Sequence, residues 1–378
     1  FWLTQPSRAA CGSCHDNVNF ATGQNHAGLP EISDNLCGTC HAPQGQLPFD
    51  LSILGAHTIP SLSTDLPGVV FTLQSVTNGL AGQNPTVTFT LNDKSGSPIA
   101  PSSMGLLNLV MAGPTADYQS TISEDARSAA GSNGTYTYTF QHAVPASATG
   151  TYTIGIEGYR NVTLLPGTEQ AQTVRDAGHN QVINFSVDGS AVAPHPVEVM
   201  TANCNQCHYS LSAHGGIRND TQYCILCHNP NATDAARRPA GAGPPQGIDF
   251  PVLVHRIHEG ASSPPGDQLT PFVVYGFGGS KNDFSDVLFP GDLRDCAKCH
   301  VNNSQELPLP STRIQVQNPQ AFYTPMGPAS AACTACHTSK STAAHTQLMT
   351  SPTLGESCDV CHGTGAQFSV DQMHARSL

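Results

Sequence analysis

The chemistry this sequence can do is concentrated in fourteen cysteines, and all of them share one spacing. They fall in Cys11-Gly-Ser-Cys14-His15, Cys37-Gly-Thr-Cys40-His41, Cys204-Asn-Gln-Cys207-His208, Cys224-Ile-Leu-Cys227-His228, Cys296-Ala-Lys-Cys299-His300, Cys333-Thr-Ala-Cys336-His337 and Cys358-Asp-Val-Cys361-His362. Two thiols at this spacing can reach the two vinyl groups of one porphyrin as thioethers, and the residue that follows sets an imidazole under the iron. Zinc sites, redox dithiols or a disulfide framework would also use paired cysteines. None of them gives a reason for histidine to follow the second cysteine seven times in seven. The motifs therefore predict seven covalently attached haems c, with His15, His41, His208, His228, His300, His337 and His362 as proximal ligands. No cysteine is left for a disulfide, and attachment of this kind implies maturation outside the cytoplasm.

Seventeen histidines include ten outside the motifs: His26, His57, His142, His179, His195, His214, His255, His258, His345 and His374. Seven are required if every iron is bound by imidazole on both sides. Their order selects them. His26 and His57 each follow one of the first two motifs, and His345 and His374 each follow one of the last two, so both ends read motif, His, motif, His. The motif starts are separated by 26 and 25 residues, an internal repeat. His214 follows the third motif in Leu211-Ser-Ala-His214-Gly-Gly, where two glycines let backbone approach a ring closely. His255 and His258 are three apart and share a helix face, so one turn can offer imidazoles to two irons. The predicted distal ligands are His26, His57, His214, His255, His258, His345 and His374. His195 is a reserve, whereas His142 and His179 lie among predicted strands, far from any motif, and read as ordinary histidines.

The elements that must position these groups are sparse. Only 11% of the 378 residues are charged, against about 25% in typical soluble domains, while 35 glycines and 29 prolines imply much loop. Between 59 and 190 there is no motif, and the texture becomes that of strands: Val69-Val-Phe-Thr-Leu, Thr86-Val-Thr-Phe-Thr-Leu, Thr135-Tyr-Thr-Tyr-Thr-Phe, Thr151-Tyr-Thr-Ile-Gly-Ile and Val182-Ile-Asn-Phe-Ser-Val. Alternating β-branched and aromatic residues between Gly, Asn, Pro and Ser clusters predict an antiparallel sandwich or split barrel of roughly seven strands. The expected fold class is a multihaem cytochrome with little regular secondary structure, made of short helices and long loops, plus this all-β domain. Three segments follow: residues 1–58 with two haems, 59–190 as the β domain, and 191–378 with five haems. Loops such as Asn229 to Asp249 exceed the usual connection length unless they wrap something. A formal charge of -12 argues against nucleic acid, which needs a basic footprint, and no apolar run reaches the 18 residues of a membrane span. Because the sequence opens on Phe1, a signal peptide has been removed or the sequence begins mid-chain.

On these motifs the chain resembles the outer-membrane decahaem c-type cytochromes of metal-reducing bacteria, the OmcA/MtrC family. The resemblance rests on Arg8-Ala-Ala-Cys11-Gly-Ser-Cys14-His15-Asp with Phe20-Ala-Thr-Gly and Asn25-His26-Ala-Gly, then Cys204 to Gly216, Tyr223 to Asn231 and Val252 to His258. It covers both haem regions, and the β region matches by position and texture only. It implies split β-barrels alternating with pentahaem domains, and a chain of bis-His haems that carries electrons out of the cell. Residues 204–374 then correspond to one pentahaem domain and 1–57 to the last two haems of another. The departure is the lack of three haems and a first β-barrel at the N-terminal end, as expected of a truncated decahaem protein, the favoured reading, or of a naturally shorter heptahaem one.

The function that follows is relay of respiratory electrons through bis-His haems to metal oxides, soluble shuttles or another cytochrome, with no catalytic residue of the usual kind and with metal reduction as the only enzyme-like activity. Implied partners are other cytochromes or an outer-membrane porin-cytochrome complex, together with extracellular electron acceptors, and the implied location is the cell surface. Two other readings stand beside it: a subunit of a cytochrome filament, and a multihaem reductase of a small substrate such as nitrite. The second needs an open or Lys-ligated haem, and no C-x-x-C-K occurs.

Overall fold

The computed structural model describes residues 3–27, 29–50, 52–262 and 271–375. They fall into two units, Phe1–Gly68 with Arg160–Ala177, and Val69–Tyr159 with Gly178–Leu378.

In the first unit the backbone is held by short capped turns rather than by a large core. Helix Arg8–Gly12 starts at Ser7, whose hydroxyl accepts from the Ala10 amide, and helix Ile53–Ala56 starts at Ser52, which accepts from the Gly55 amide at 3.0 Å. Such caps satisfy amides that a short helix otherwise leaves without partners. Arg8 pairs with Asp34 at 2.7 Å and thereby ties the first motif to the turn before the second. Arg160 reaches Asp176 and the Gly68 carbonyl.

The second unit contains the apolar core. Its strands are β1 (Val70–Thr77), β2 (Thr86–Asn92), β3 (Leu106–Gly113), β4 (Ser120–Asp125), β5 (Ala130–Ser132), β6 (Thr135–Thr139), β7 (Thr151–Leu164) and β9 (Gln181–Ser186); the last residues of β7, together with β8 (Gln172–Ala177), go with the first unit. One antiparallel sheet runs β1-β2-β6-β5, and the other pairs β3 with β4 and β7, with β9 also on β7. Among the described residues these are two sheets with no closed barrel, and nine strands where roughly seven were expected. Strand β2 shows why the alternation was readable: Val87, Phe89 and Leu91 are fully buried, while the threonines between them face outward.

Strand β3 is different because it is covered on both faces. Leu107, Leu109 and Met111 enter the core between the sheets, while Val110 and Ala112 pack against Tyr223 and Leu226 of helix Thr221–Cys227. That helix presses so closely on β7 that a Cβ on Gly155 would lie 2.7 Å from the Leu226 methyl and the Tyr223 ring. The long loop after this helix is closed on itself. Asp234 forms a buried ion pair with Arg238 at 2.7 Å and accepts from the Gln246 and Tyr275 amides. No helix among the described residues is long and apolar enough to cross a membrane.

Candidate haem-ligating histidine pairs

Every C-x-x-C-H segment wraps one helical turn. The histidine amide donates to the carbonyl of the first cysteine in all seven, at 2.9 Å for His15, His41, His208, His300 and His337, 3.0 Å for His228 and 2.8 Å for His362. Residues three apart on such a turn lie on one side, so both thiols and the imidazole serve one flank. None of the fourteen cysteines is joined to another as a disulfide.

Each motif histidine faces a different non-motif histidine. The ring centroids are 6.1 Å apart in His15–His57 and His26–His41, 6.0 Å in His208–His258, 6.1 Å in His214–His228 and His255–His300, 5.9 Å in His337–His374 and 6.2 Å in His345–His362. The first two and the last two motifs are nested: the outer motif takes the outer histidine and the inner motif the inner one.

Local backbone aims these rings. Helix Phe250–Glu259 begins at Asp249 with a proline in its first turn and ends at Gly260, whose φ of +42° and approach to the Val287 carbonyl, 2.2 Å from where a Cβ would lie, leave no room for a side chain. Its Val252, Arg256 and Glu259 point inward, with Arg256 and Glu259 paired at 2.5 Å, and this turns His255 and His258 toward two motifs. Peptide carbonyls then fix ring orientation. The Nδ1 of His57, His258 and His374 donates to the carbonyl four residues earlier, at 2.7, 2.8 and 2.8 Å; that of His228 donates to Ile248 and that of His362 to Phe368, each at 2.8 Å, and that of His26 to Leu29 at 3.3 Å. With Nδ1 as donor, the Nε2 lone pair is free for a metal. Neutrality is enforced as well: burial pushes His214 and His255 down to about 4, and it lowers His228, His300 and His337 too.

Neighbouring motifs of the second unit touch. The Thr221 amide donates to the Thr201 hydroxyl at 2.9 Å and joins the third and fourth motifs; the Asn203 amide group donates to the Cys299 carbonyl at 3.1 Å and joins the third and fifth. Val252 of the bis-histidine helix packs with Met326 and Ala331 beside the sixth motif. Glu356, two residues before the seventh motif, caps helix Pro328–Thr334, which carries Cys333, by accepting from the Ala329 and Ser330 amides.

The residues fit a bis-imidazole haem. Two rings with centroids near 6 Å leave space for one metal ion bound through nitrogens at about 2 Å on each side, and His255, whose buried Nδ1 has no hydrogen-bond partner, faces His300 at that spacing. Zinc would need further ligands, and no group of three His, Cys, Asp or Glu residues suited to a metal occurs among the described residues. The remaining histidines are engaged elsewhere. His195 stacks on Tyr118 at 5.1 Å and its Nε2 accepts from Arg313 at 2.8 Å, His142 pairs with Glu124, and His179 bonds the Asn180 carbonyl. One contributor escaped the sequence reading: Ser304, whose hydroxyl accepts from His300 Nδ1 at 2.9 Å. The only trace it leaves in sequence is its position four residues after a motif histidine.

Residues 197–375 match the family described as outer membrane cytochrome MtrC/MtrF-like, domains II/IV. The multiheme cytochrome MtrC of Shewanella baltica (strain OS185) is 27% identical over 180 residues, which are 45% of this chain and 21% of that protein. The crystal structure of MtrC from Shewanella baltica OS185 superposes with a TM-score of 0.59 at 18% identity, over 96% of this chain and 61% of the other. That of the outer membrane decaheme cytochrome OmcA gives 0.51 at 17%, over 82% and 49%. The chain thus spans less than two thirds of each of these relatives. It is similar to the MtrC- and OmcA-type outer-membrane multihaem cytochromes, and the likeness in sequence lies in residues 197–375, which match the MtrC/MtrF-like domain II/IV family.

Proposed function

We propose that this chain is an electron-relaying segment of an extracellular multihaem c-type cytochrome, with seven haems c attached at its seven motifs. His15, His41, His208, His228, His300, His337 and His362 are the proximal ligands, and His57, His26, His258, His214, His255, His374 and His345 are their respective distal partners. Haem, when bound, supplies a one-electron couple at each position. The observation that carries the reading is the one-to-one facing of motif and non-motif imidazoles in all seven pairs.

What the residues do follows from that facing. Two imidazoles would hold each haem from both sides and leave no open position for a substrate, and rings held by peptide carbonyls would change little when charge changes. The contacts between neighbouring motifs in the second unit keep the five sites of that unit side by side, which is what charge hopping needs. The segments 1–58, 59–190 and 191–378 are proposed as a two-haem segment, a β domain of split-barrel or sandwich type that serves as scaffold or docking surface, and a pentahaem domain. Likeness to MtrC and OmcA supports a place at the outer surface of the outer membrane after periplasmic maturation, with other cytochromes or a porin-cytochrome complex as electron donors. The proposed acceptors are metal oxides or soluble shuttles.

Intact mass and electron paramagnetic resonance of the oxidised holoprotein test this. Seven haems, all low-spin, are expected. A substantial high-spin signal that shifts on adding cyanide or nitrite would replace the conduit by a small-substrate reductase.

A further inference from the structure

The seven pairs are not equivalent in how their outer nitrogens are satisfied. In six of them at least one Nδ1 donates to a peptide carbonyl: His57, His26, His258, His228, His374 and His362. The exception is His255–His300. The Nδ1 of His255 is buried with no partner. The Nδ1 of His300 meets only the Ser304 hydroxyl, which has given its own proton to the Glu198 carbonyl at 2.7 Å.

That difference has an electronic consequence. A carbonyl accepting from Nδ1–H makes the imidazole more basic, and a more basic axial ligand favours the ferric state. An imidazole whose N–H points into protein with no acceptor is a weaker donor to iron. The hydroxyl on the opposite side gives less help than a peptide carbonyl, and burial of that nitrogen keeps water from substituting. Building on the reading above, we infer that the His255–His300 pair holds the most readily reduced of the seven haems, so that an electron entering the chain collects there. The position suits such a role. His255 shares its helix with His258, the distal partner of the third motif, and the third and fifth motifs are hydrogen-bonded to one another.

The pair also carries a spectroscopic label. Its rings lie 28° from parallel, with His26–His41 at 33° and His214–His228 at 37° next; the other four pairs are crossed by 65° or more. Near-parallel imidazoles donate into the same iron orbital and give rhombic ferric signals, whereas crossed ones leave two orbitals nearly degenerate and give a highly anisotropic signal. The test is an electrochemical titration of the oxidised holoprotein, frozen at successive potentials and read by electron paramagnetic resonance. The first signal to disappear should be rhombic. Ser304→Asp, which puts a carboxylate at the His300 Nδ1, should move that first step to lower potential and leave the others in place. Loss of a highly anisotropic signal first, or a first step unmoved in Ser304→Asp, overturns the inference. If Ser304→Asp fails to take up haem, Ser304→Ala, which leaves the His300 Nδ1 without its acceptor, should move the first step to higher potential, and a first step unmoved there overturns the inference as well. A high-spin signal in the wild-type protein would instead defeat the bis-imidazole reading on which this rests.

Discussion

His208 and His258 meet edge to face, with ring planes crossed at 80°. Three residues earlier on the same helix, His255 lies nearly parallel to His300. One turn of backbone therefore sets two electronically different sites. Across the chain, His15–His57, His208–His258, His337–His374 and His345–His362 are crossed, and three pairs are near parallel. The fully oxidised protein should show highly anisotropic and rhombic low-spin signals in a spin ratio of four to three, measured by integrated electron paramagnetic resonance.

Removing a distal imidazole should open one iron and only one. His374→Ala is expected to convert one haem in seven to a high-spin form that binds cyanide, whereas His142→Ala should leave the haem spectrum unchanged. His142 bonds Glu124, which also accepts from Tyr138 and the Gln141 amide, so its loss should cost only about 1 kcal/mol of stability. Cyanide titration followed in the visible spectrum separates the two outcomes.

The seat of helix Thr221–Cys227 on the sheet depends on a missing side chain. Gly155→Ala places a methyl 2.7 Å from Leu226 and Tyr223, and overpacking of this kind costs roughly 1–3 kcal/mol. Thermal unfolding followed by circular dichroism should show a lower midpoint, with the number of bound haems unaltered.

His195 predicts an acid-side loss of stability. Burial, then the Arg313 guanidinium, hold it down to about 4 from an ordinary 6.5, while Asp117 and Glu198 compensate Arg313 on its other sides. The folded protein binds that proton less readily than the unfolded chain, so the stability from this group is complete above pH 6.5 and is lost as pH falls toward 4. The loss should amount to roughly 1–3 kcal/mol. His195→Gln, which keeps an acceptor for Arg313, should flatten the difference between denaturant unfolding at pH 7 and pH 5.

Much of the site was legible because covalent attachment needs a fixed spacing and because the order motif, His, motif, His repeats at both ends. The histidines selected on that order are those that face motif imidazoles, but which faces which was not readable. His15 passes over His26 to meet His57, and His337 passes over His345 to meet His374; such nesting depends on tertiary placement rather than on distance along the chain. In the β region, strands with one solvated face announced themselves by alternation, as in β2. Strand β3, Leu-Leu-Asn-Leu-Val-Met-Ala-Gly, did not, because a helix covers the face that would otherwise be polar. The length of Asn229 to Asp249 signalled that the loop must wrap something, yet the residue that closes it, Asp234, looks in sequence like any surface acid.

Carriage of His255 and His258 on one stiff turn couples two of the proposed redox centres mechanically. Displacement of helix Phe250–Glu259 as a body would carry both rings together, so the two sites would feel its motion in common. A substitution that tilts the rod would retune both sites at once, whereas a change beside His208 or His300, off the helix, would act on one.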